Sequence, residues 1–325
     1  MRNILITGGA GFIGSHLVKH FVKKYKNYNI INVDKLTYAS NIHFLKEINN
    51  FKNYTFVQAD ICNLNEIDEI FKNNKISSVI HLAAESHVDN SIENALEFAK
   101  TNILGTINLL ELSRKNWTNS SNNLFYHIST DEVFGSLNEN GIFNENSNYD
   151  PHSPYSASKA SADHFVRAFY DTHKLPVIIS NCSNNYGPNQ HNEKLIPTVI
   201  NSLINKSKIP VYGNGLNIRD WLYVEDHVEA IDLIFHNGTI GETYCIGGEN
   251  EIKNVDIIKL IIKEFDYMKQ NKNSSIDLIS YVDDRLGHDY RYAIDISKIK
   301  NELGWEPKTN IDKGLRKTLN WYLND

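Results

Sequence analysis

Three polar residues in a row, Thr130, Asp131 and Glu132, follow an apolar stretch in the run HISTDEVFG. Further on, YSASK sets Tyr155 and Lys159 at i and i+4, on one face of a helix. A phenol beside an ammonium is a candidate general base, because the cation favours phenolate and lowers its pKa. Lys159 can also donate to the ribose of a nicotinamide cofactor, and Thr130 can hydrogen-bond the same substrate oxygen as Tyr155. An adjacent carboxylate and carboxylic acid suit paired removal and donation of protons, provided their environments separate their pKa values. Along a strand, however, neighbouring side chains point to opposite faces. Spacing alone leaves two readings. Either both acids serve one site beyond the strand end, or Asp131 caps a turn and Glu132 faces solvent.

A cofactor site can be read at the N-terminus. ITGGAGFIGSHL follows an apolar strand and opens a helix, with Gly8, Gly11 and Gly14 in a GxxGxxG pattern. Such a loop turns tightly and lets a pyrophosphate settle on the helix N-terminus. Asp34 ends the second strand about 20 residues after Gly14, where a carboxylate accepts from a ribose 2′-OH and repels a 2′-phosphate. That favours NAD over NADP, while the adjacent Lys35 can soften the repulsion. Asp60, after the third strand, reads either as an adenine contact or as the N-cap of a helix beginning near Asn63.

The elements that must hold these residues alternate. Strand-like runs are NILIT (3–7), NIINV (29–33), YTFVQ (54–58), SSVIHL (77–82), NLFYHIS (123–129) and PVIIS (176–180). Helical patterns lie between them, including about 92–115 and 155–173. The expected fold is α/β, a Rossmann-like doubly wound parallel sheet buried on both faces. Strand five should end near Ser129 or Thr130, at the edge where such sheets bind ligands. After residue 181 the rhythm loosens, with helices expected at 193–204, 225–236, 254–267 and 311–323. Residues 1–181 therefore read as the cofactor domain carrying the catalytic groups. Residues 182–325 read as a smaller α+β substrate region, part of which returns to the sheet. NWTNSSNN (116–123) reads as a polar loop.

Composition narrows the class. A net charge of −6 provides no global basic field for nucleic acid. The 41% hydrophobic content supports a real core. Three scattered cysteines suggest neither a zinc site nor a disulfide framework, so no metal is expected. No secretory signal is read at MRNILITGG, and no apolar run nears the ~18 residues of a membrane span. The expected setting is cytoplasmic, without membrane contact.

Longer blocks carry a resemblance. TGGAGFIGS, Thr130 and YxxxK together resemble the extended short-chain dehydrogenase/reductases. VDKLTYASN, HLAAESHVDNS, STDEVFG, NCSNNYGPNQHNEKLIP, VYGNGLNIRDWLYVEDH and GHDYRYAID narrow this to the nucleotide-sugar 4,6-dehydratases, over residues 1 to about 320. The resemblance implies NAD-dependent dehydration of a nucleotide hexose, dTDP-glucose first, in deoxysugar synthesis by a homodimer. It makes Asp131 the acid, Glu132 the base, and sets Thr130 and Tyr155 at the C4 oxygen. It implies cofactor contacts from Gly8, Gly11, Phe12, Ile13, Gly14, Asp34, Lys35, Leu36, Thr37, Asp60, Ile61, Leu82, Ala83, Ala84, Thr101, Tyr155, Lys159 and Asn185. Substrate contacts would come from Ser86, Asn184, Lys194, Leu195, Pro210, Val211, Tyr212 and Asn254, with Arg219 gripping phosphate and Arg285 and His288 adding a second clamp. His81 and His87 read as structural.

Three positions depart from the family pattern: Asn90 where Arg is frequent, Leu286 where Pro is, and Tyr290 before Arg291. None removes a catalytic group. The rival enzyme readings are a dehydratase of another nucleotide hexose (UDP- or CDP-) and a UDP-sugar 4-epimerase or decarboxylase. The latter would share NAD, Tyr155 and Lys159 without needing the two acids. A non-catalytic NAD-binding module is the alternative from another class.

Overall fold

The computed structural model describes residues 2–117 and 123–324. Most of the expected polar loop at 116–123 thus lies outside the described residues. Six apolar runs form β1 (Arg2–Thr7), β2 (Tyr28–Asp34), β3 (Tyr54–Gln58), β4 (Ser78–His81), β5 (Leu124–Thr130) and β6 (Val177–Cys182). Between them lie α1 (Phe12–Lys24), α2 (Leu64–Asn74), α3 (Val88–Glu93), α4 (Ala95–Phe98), α5 (Gly105–Asn116) and α6 (Pro154–His173). There follow β7 (Asn184–Tyr186), α7 (Leu195–Asn205), β8 (Ile209–Tyr212), β9 (Ile218–Tyr223), α8 (Val224–Asn237), β10 (Thr243–Ile246), β11 (Glu251–Lys253), α9 (Asn254–Lys269), β12 (Ile279–Val282), α10 (Ser297–Leu303) and α11 (Ile311–Asn324).

The large sheet runs β3-β2-β1-β4-β5-β6-β10, with every pairing parallel. β4, β5 and β6 are buried along their whole length, which explains their unbroken apolar sequences. One face packs on α1 and α8 through Leu17, Phe21, Ile231 and Ile234. The other packs on α2, α5 and α6 through Phe71, Leu109, Val166 and Phe169. β1 pairs with β2 on one side and β4 on the other, so the strand order reverses there and a crevice opens at the C-terminal strand ends.

Beyond β6 a three-stranded sheet, β11-β9-β7, and a parallel pair, β8 with β12, form a smaller unit. Its own core joins Ile196, Ile200, Val211, Trp221, Ile258 and Leu315. β10 returns to the large sheet beside β6.

Residues expected as one helix over 92–115 are instead broken. Asn94 leaves helical geometry (φ −140°) between α3 and α4, and residues 99–104 form a wider π turn before α5. The side chain of Asn102 in that turn accepts from the Glu85 amide and donates to the Glu85 carbonyl (2.9 Å each) and to Ser158 Oγ (2.8 Å). These bonds tie the helix to the loop after β4, and π turns of this kind often mark functional sites. α6 starts as PHSP predicts, with Pro154 in the first turn and a reciprocal Ser153–Ser156 capping box.

Gly14 packs against the turn at Gly8, and a Cβ there would collide with the Gly8 carbonyl oxygen. Gly14→Ala should therefore destabilise the protein by about 1–3 kcal/mol. Urea unfolding monitored by tryptophan fluorescence checks this; an unchanged midpoint would show that the contact relaxes freely.

Candidate active site

The crevice holds a cavity of about 310 Å³, within the range of small-molecule sites. Gly8, with φ +74°, starts its floor: a Cβ there would lie 2.7 Å from the Ala83 amide nitrogen, so only glycine lets the β1 and β4 loops meet. Gly11 caps α1 without any side-chain hydrogen bond, and a Cβ on it would approach only the Gly8 oxygen, at 3.3 Å. Gly11, Phe12, Ile13 and Gly14 line the cavity, leaving first-turn amides open to an anion.

Asp34 lines the same cavity and is fixed by three donors. They are the Ala10 amide (2.9 Å), the Leu36 amide (2.8 Å) and the Ser40 hydroxyl (2.9 Å). A carboxylate offers about four acceptor sites, so one remains for a ribose hydroxyl. Lys35 is drawn away to Asp60, 2.8 Å from its Nζ, and so does not offset the repulsion of a 2′-phosphate. The residues present thus fit NAD. Asp60 does not cap α2: it accepts from the Cys62 amide, and Asn63 is the cap. Asp60, Ile61, Thr37, Leu82, Ala83, Ala84, Thr101 and Asn185 line the cavity together with Lys35. Leu36 does not; its left-handed backbone (φ +60°) turns the side chain toward the core.

Thr130 ends β5 and starts a short 3-10 turn, Asp131–Phe134. Its hydroxyl accepts from the Glu132 amide and donates to Asp131 Oδ1, each at 3.3 Å. Because the turn breaks the strand's alternation, Asp131 and Glu132 both line the cavity with Thr130, Tyr155 and Lys159. Asp131 is 1% exposed, and its Oδ2 finds no partner among the described residues. Burial, then Glu132 and Asp220, push its carboxyl well above the ordinary range. Burial raises Glu132 too, but Lys194, Arg219 and Arg285 oppose it. Both carboxyls are thus raised, and the environments differ: Asp131 is sealed beside two other acids, whereas three cations offset part of the burial of Glu132.

The phenol does not behave as spacing predicts. Burial first, and the Glu132 charge next, raise Tyr155 well above its ordinary value. Lys159 is engaged elsewhere: Nζ donates to the Ile128 carbonyl at 2.9 Å and lies 3.3 Å from His127 Nε2. The i, i+4 spacing brings both groups to the cleft without making the ammonium the phenol's partner.

Ser86, Asn184 and Lys194 line the cavity; Lys194 donates to the Ser86 carbonyl (2.9 Å), and Asn184 Oδ1 is buried without a partner among the described residues. The other expected substrate residues lie outside that cavity. Leu195 and Val211 point into the smaller unit's core, leaving Pro210 and Tyr212 on the outer face of β8. Asn254 heads α9 with a buried, unpartnered Oδ1 among the described residues. Arg219 donates to the carbonyls of Ile218, Asp289 and Tyr290 and lies over the Tyr292 ring at 4.3 Å. Arg285 lies 4.8 Å above the Tyr212 ring, with Nε 2.8 Å from Asp89. His288 contacts Asp284 at 2.7 Å. Lys194, Arg219 and Arg285 still converge electrostatically on Glu132.

His81 is tied between Thr7 (2.7 Å) and Thr106 (2.9 Å), and His87 caps α3, so both act structurally. The cavity also recruits Ser40, Glu85, Cys182, Gln190, His191 and Glu193. The polar cluster NQHNEK signalled three of these; nothing local signalled Cys182, which arrives through β5–β6 register opposite Thr130.

Comparison with known proteins agrees with this architecture. The chain belongs to the family described as GDP-mannose 4,6 dehydratase, whose pattern matches residues 5–318. A probable dTDP-glucose 4,6-dehydratase of Sinorhizobium fredii is 52% identical, over 99% of this chain and 93% of the relative. The dTDP-glucose 4,6-dehydratase of Bacillus anthracis, solved with NAD, superposes with a TM-score of 0.90 at 43% identity, covering 100% of this chain and 97% of that one. The Streptomyces venezuelae enzyme of the same name, solved with NAD and a dTDP ligand, gives 0.93 at 37% identity, covering 99% and 97%.

The split between the acids is measurable by infrared difference spectroscopy at neutral pH. Subtracting the Asp131→Asn spectrum from that of the unmodified protein should leave a neutral carboxylic-acid band. The same subtraction with Glu132→Gln should leave carboxylate bands. The reverse pattern would overturn the order of the two groups.

Proposed function

We propose that this chain catalyses the NAD-dependent dehydration of dTDP-glucose to dTDP-4-keto-6-deoxyglucose, a hydro-lyase reaction that provides a deoxysugar precursor. The observation that carries this reading is the Asp131–Glu132 pair in one cavity with Tyr155 and the glycine cradle. A 4-epimerase needs the last two and not the first. The dTDP-sugar is taken from the named activity of relatives sharing about half of their residues with this chain over nearly its full length.

The glycine loop and Asp34 would hold the dinucleotide. When bound, NAD supplies the acceptor for the C4 hydride, its return to C6 and a positive ring charge in the cleft. Tyr155, raised in the protein alone, serves as base beside that charge and takes the C4 hydroxyl proton, while Thr130 steadies the same oxygen. The C4 ketone makes the C5 proton acidic, and Glu132 removes it. Asp131 gives its proton to the C6 hydroxyl, which leaves as water. Glu132 then returns its proton to C5. The proton gained by Tyr155 equals the one lost by Asp131, and the sugar is dehydrated without net redox change. Lys194, Arg219 and Arg285 would face the diphosphate, Arg219 in the bidentate manner guanidinium allows.

Residues 1–181 are assigned to cofactor and chemistry and 182–325 mainly to the nucleotide sugar, with β10 completing the first sheet. We assign a homodimer built on the exposed apolar side chains Ile92, Leu96, Leu104 and Phe165 of the α3–α5 segment and α6. A reducing, cytoplasmic setting accords with three unpaired cysteines. No described helix is long and apolar enough to cross a membrane.

Glu132→Gln should still oxidise C4, seen as NADH-like absorbance with dTDP-glucose, while 4-keto-6-deoxy product falls by about 10²-fold or more. Full product formation, followed by loss of 18 Da, would remove the base role. Phe165→Glu combined with Leu104→Glu should convert the dimer to monomer by light scattering. A protein already monomeric before substitution would end the dimer assignment.

A further inference from the structure

Tyr155, Lys159 and Asp163 follow one another at four-residue spacing along α6. Asp163 is fully buried, yet the reaction gives it no task. Its Oδ2 accepts from Ser129 Oγ (2.9 Å), the Tyr149 hydroxyl (2.8 Å) and Asn181 Nδ2 (3.3 Å). Its Oδ1 lies 3.2 Å from His127 Nε2, the same nitrogen that sits 3.3 Å from Lys159 Nζ. One imidazole edge therefore stands between an ammonium and a carboxylate, all within the protein interior.

An unpaired buried charge is very costly, so an ammonium at this depth needs a counter-anion. Burial lowers Lys159, and Asp163 on α6 is the first group to oppose this; His127 on β5, His81 on β4 and Cys182 on β6 also face it, with Tyr155 one turn earlier on α6 and Tyr149 and Arg167 behind Asp163. Burial and Lys159 press His127 down to about 4, so the ring is neutral at neutral pH. In the protein without NAD, burial presses Cys182 up to about 12 and Tyr155 well above its ordinary value, so neither supplies the anion there. Burial also raises Asp163, but His127, Lys159 and Ser129 more than reverse this and leave it below its ordinary value.

We propose that Asp163 is a positioning residue of the dehydratase: the buried counter-anion that, across neutral His127, keeps Lys159 charged and seated on the Ile128 carbonyl at the cleft. The inference rests on the dehydratase reading for its place in the reaction. Its geometry involves only this chain's own side chains. Ser129, Tyr149 and Asn181 are then the donors that keep Asp163 ionised, and the four-residue repeat along α6 aligns base, cation and anion on one face.

The test follows the Lys159 ε-carbon by NMR in lysine-labelled protein, beside the pH profile of kcat on dTDP-glucose. In Asp163→Asn, the Lys159 titration and the alkaline limb of kcat should both move down by about one pH unit or more, because the charged amine has lost its partner. Asp163→Glu restores a carboxylate and should return both toward the unmodified protein, even with a lower Tm. An unmoved Lys159 titration in Asp163→Asn overturns the proposal, as does an equal shift in both variants. Should Asp163→Asn not fold, the unmodified protein decides the matter: Lys159 must remain charged at about pH 8, and a neutral amine there overturns it. The titration requires neither substrate nor cofactor, so it stands apart from whether dTDP-glucose is the substrate.

Discussion

The cleft depends on the close approach of two backbones at Gly8. At the reversal in strand order, the chain leaving β1 must turn into α1 while the chain leaving β4 passes beside it. The positive φ of Gly8 makes the turn, and its missing Cβ admits the Ala83 backbone. A side chain there would push the two loops apart. Separated loops would move Leu82–Ala84 away from the glycine cradle and widen the gap between the two halves of a dinucleotide site. Gly14 repeats the logic one turn later by letting α1 press on the Gly8 carbonyl. The parallel sheet does the rest, since it places the ends of β1, β2, β4, β5 and β6 on one edge. Asp34, Thr130 and Cys182 are therefore neighbours of one cavity despite their separation in sequence.

Within that frame, electrostatics divides the labour. Two adjacent carboxyls of similar intrinsic acidity are given different environments, because one is sealed and the other faces cations. Asp131 is enclosed, with Asp220 adding a second negative neighbour that itself is held by the amides of Gly248 and Asn250 (2.7 Å each). Glu132 looks toward Lys194, Arg219 and Arg285, which are supplied by the smaller unit. The chemistry of the first sheet is thus tuned by residues that fold around a different core. The Arg285–Asp89 contact joins the loop after β12 to α3, and the Lys194–Ser86 bond joins the approach to α7 to the loop after β4. These links hold the cations over the turn at Asp131–Phe134.

How much of this was legible in sequence follows from which interactions are local. The glycine loop, the acid ending β2 and the apolar strands are all short-range signals, and the parallel sheet follows from the alternation of strands with helices. The turn after Thr130 was legible too, because a strand ending at the ligand edge frees the next residues from alternation. The widened turn at 99–104 was not, because the bonds it accommodates are long-range: Asn102 is pinned to the Glu85 backbone. Spacing along a helix reports which face a residue shares, not which neighbour will claim its charge. Tyr155 and Lys159 illustrate the difference. The i, i+4 relation put both in the cleft, but the ammonium found a strand carbonyl and a histidine that only the register of β5 could place there. For the same reason Arg219 reads in sequence as a free phosphate grip and is found anchored on backbone carbonyls of the 289–290 loop. That anchoring fixes the guanidinium plane, so little side-chain freedom is left there to lose.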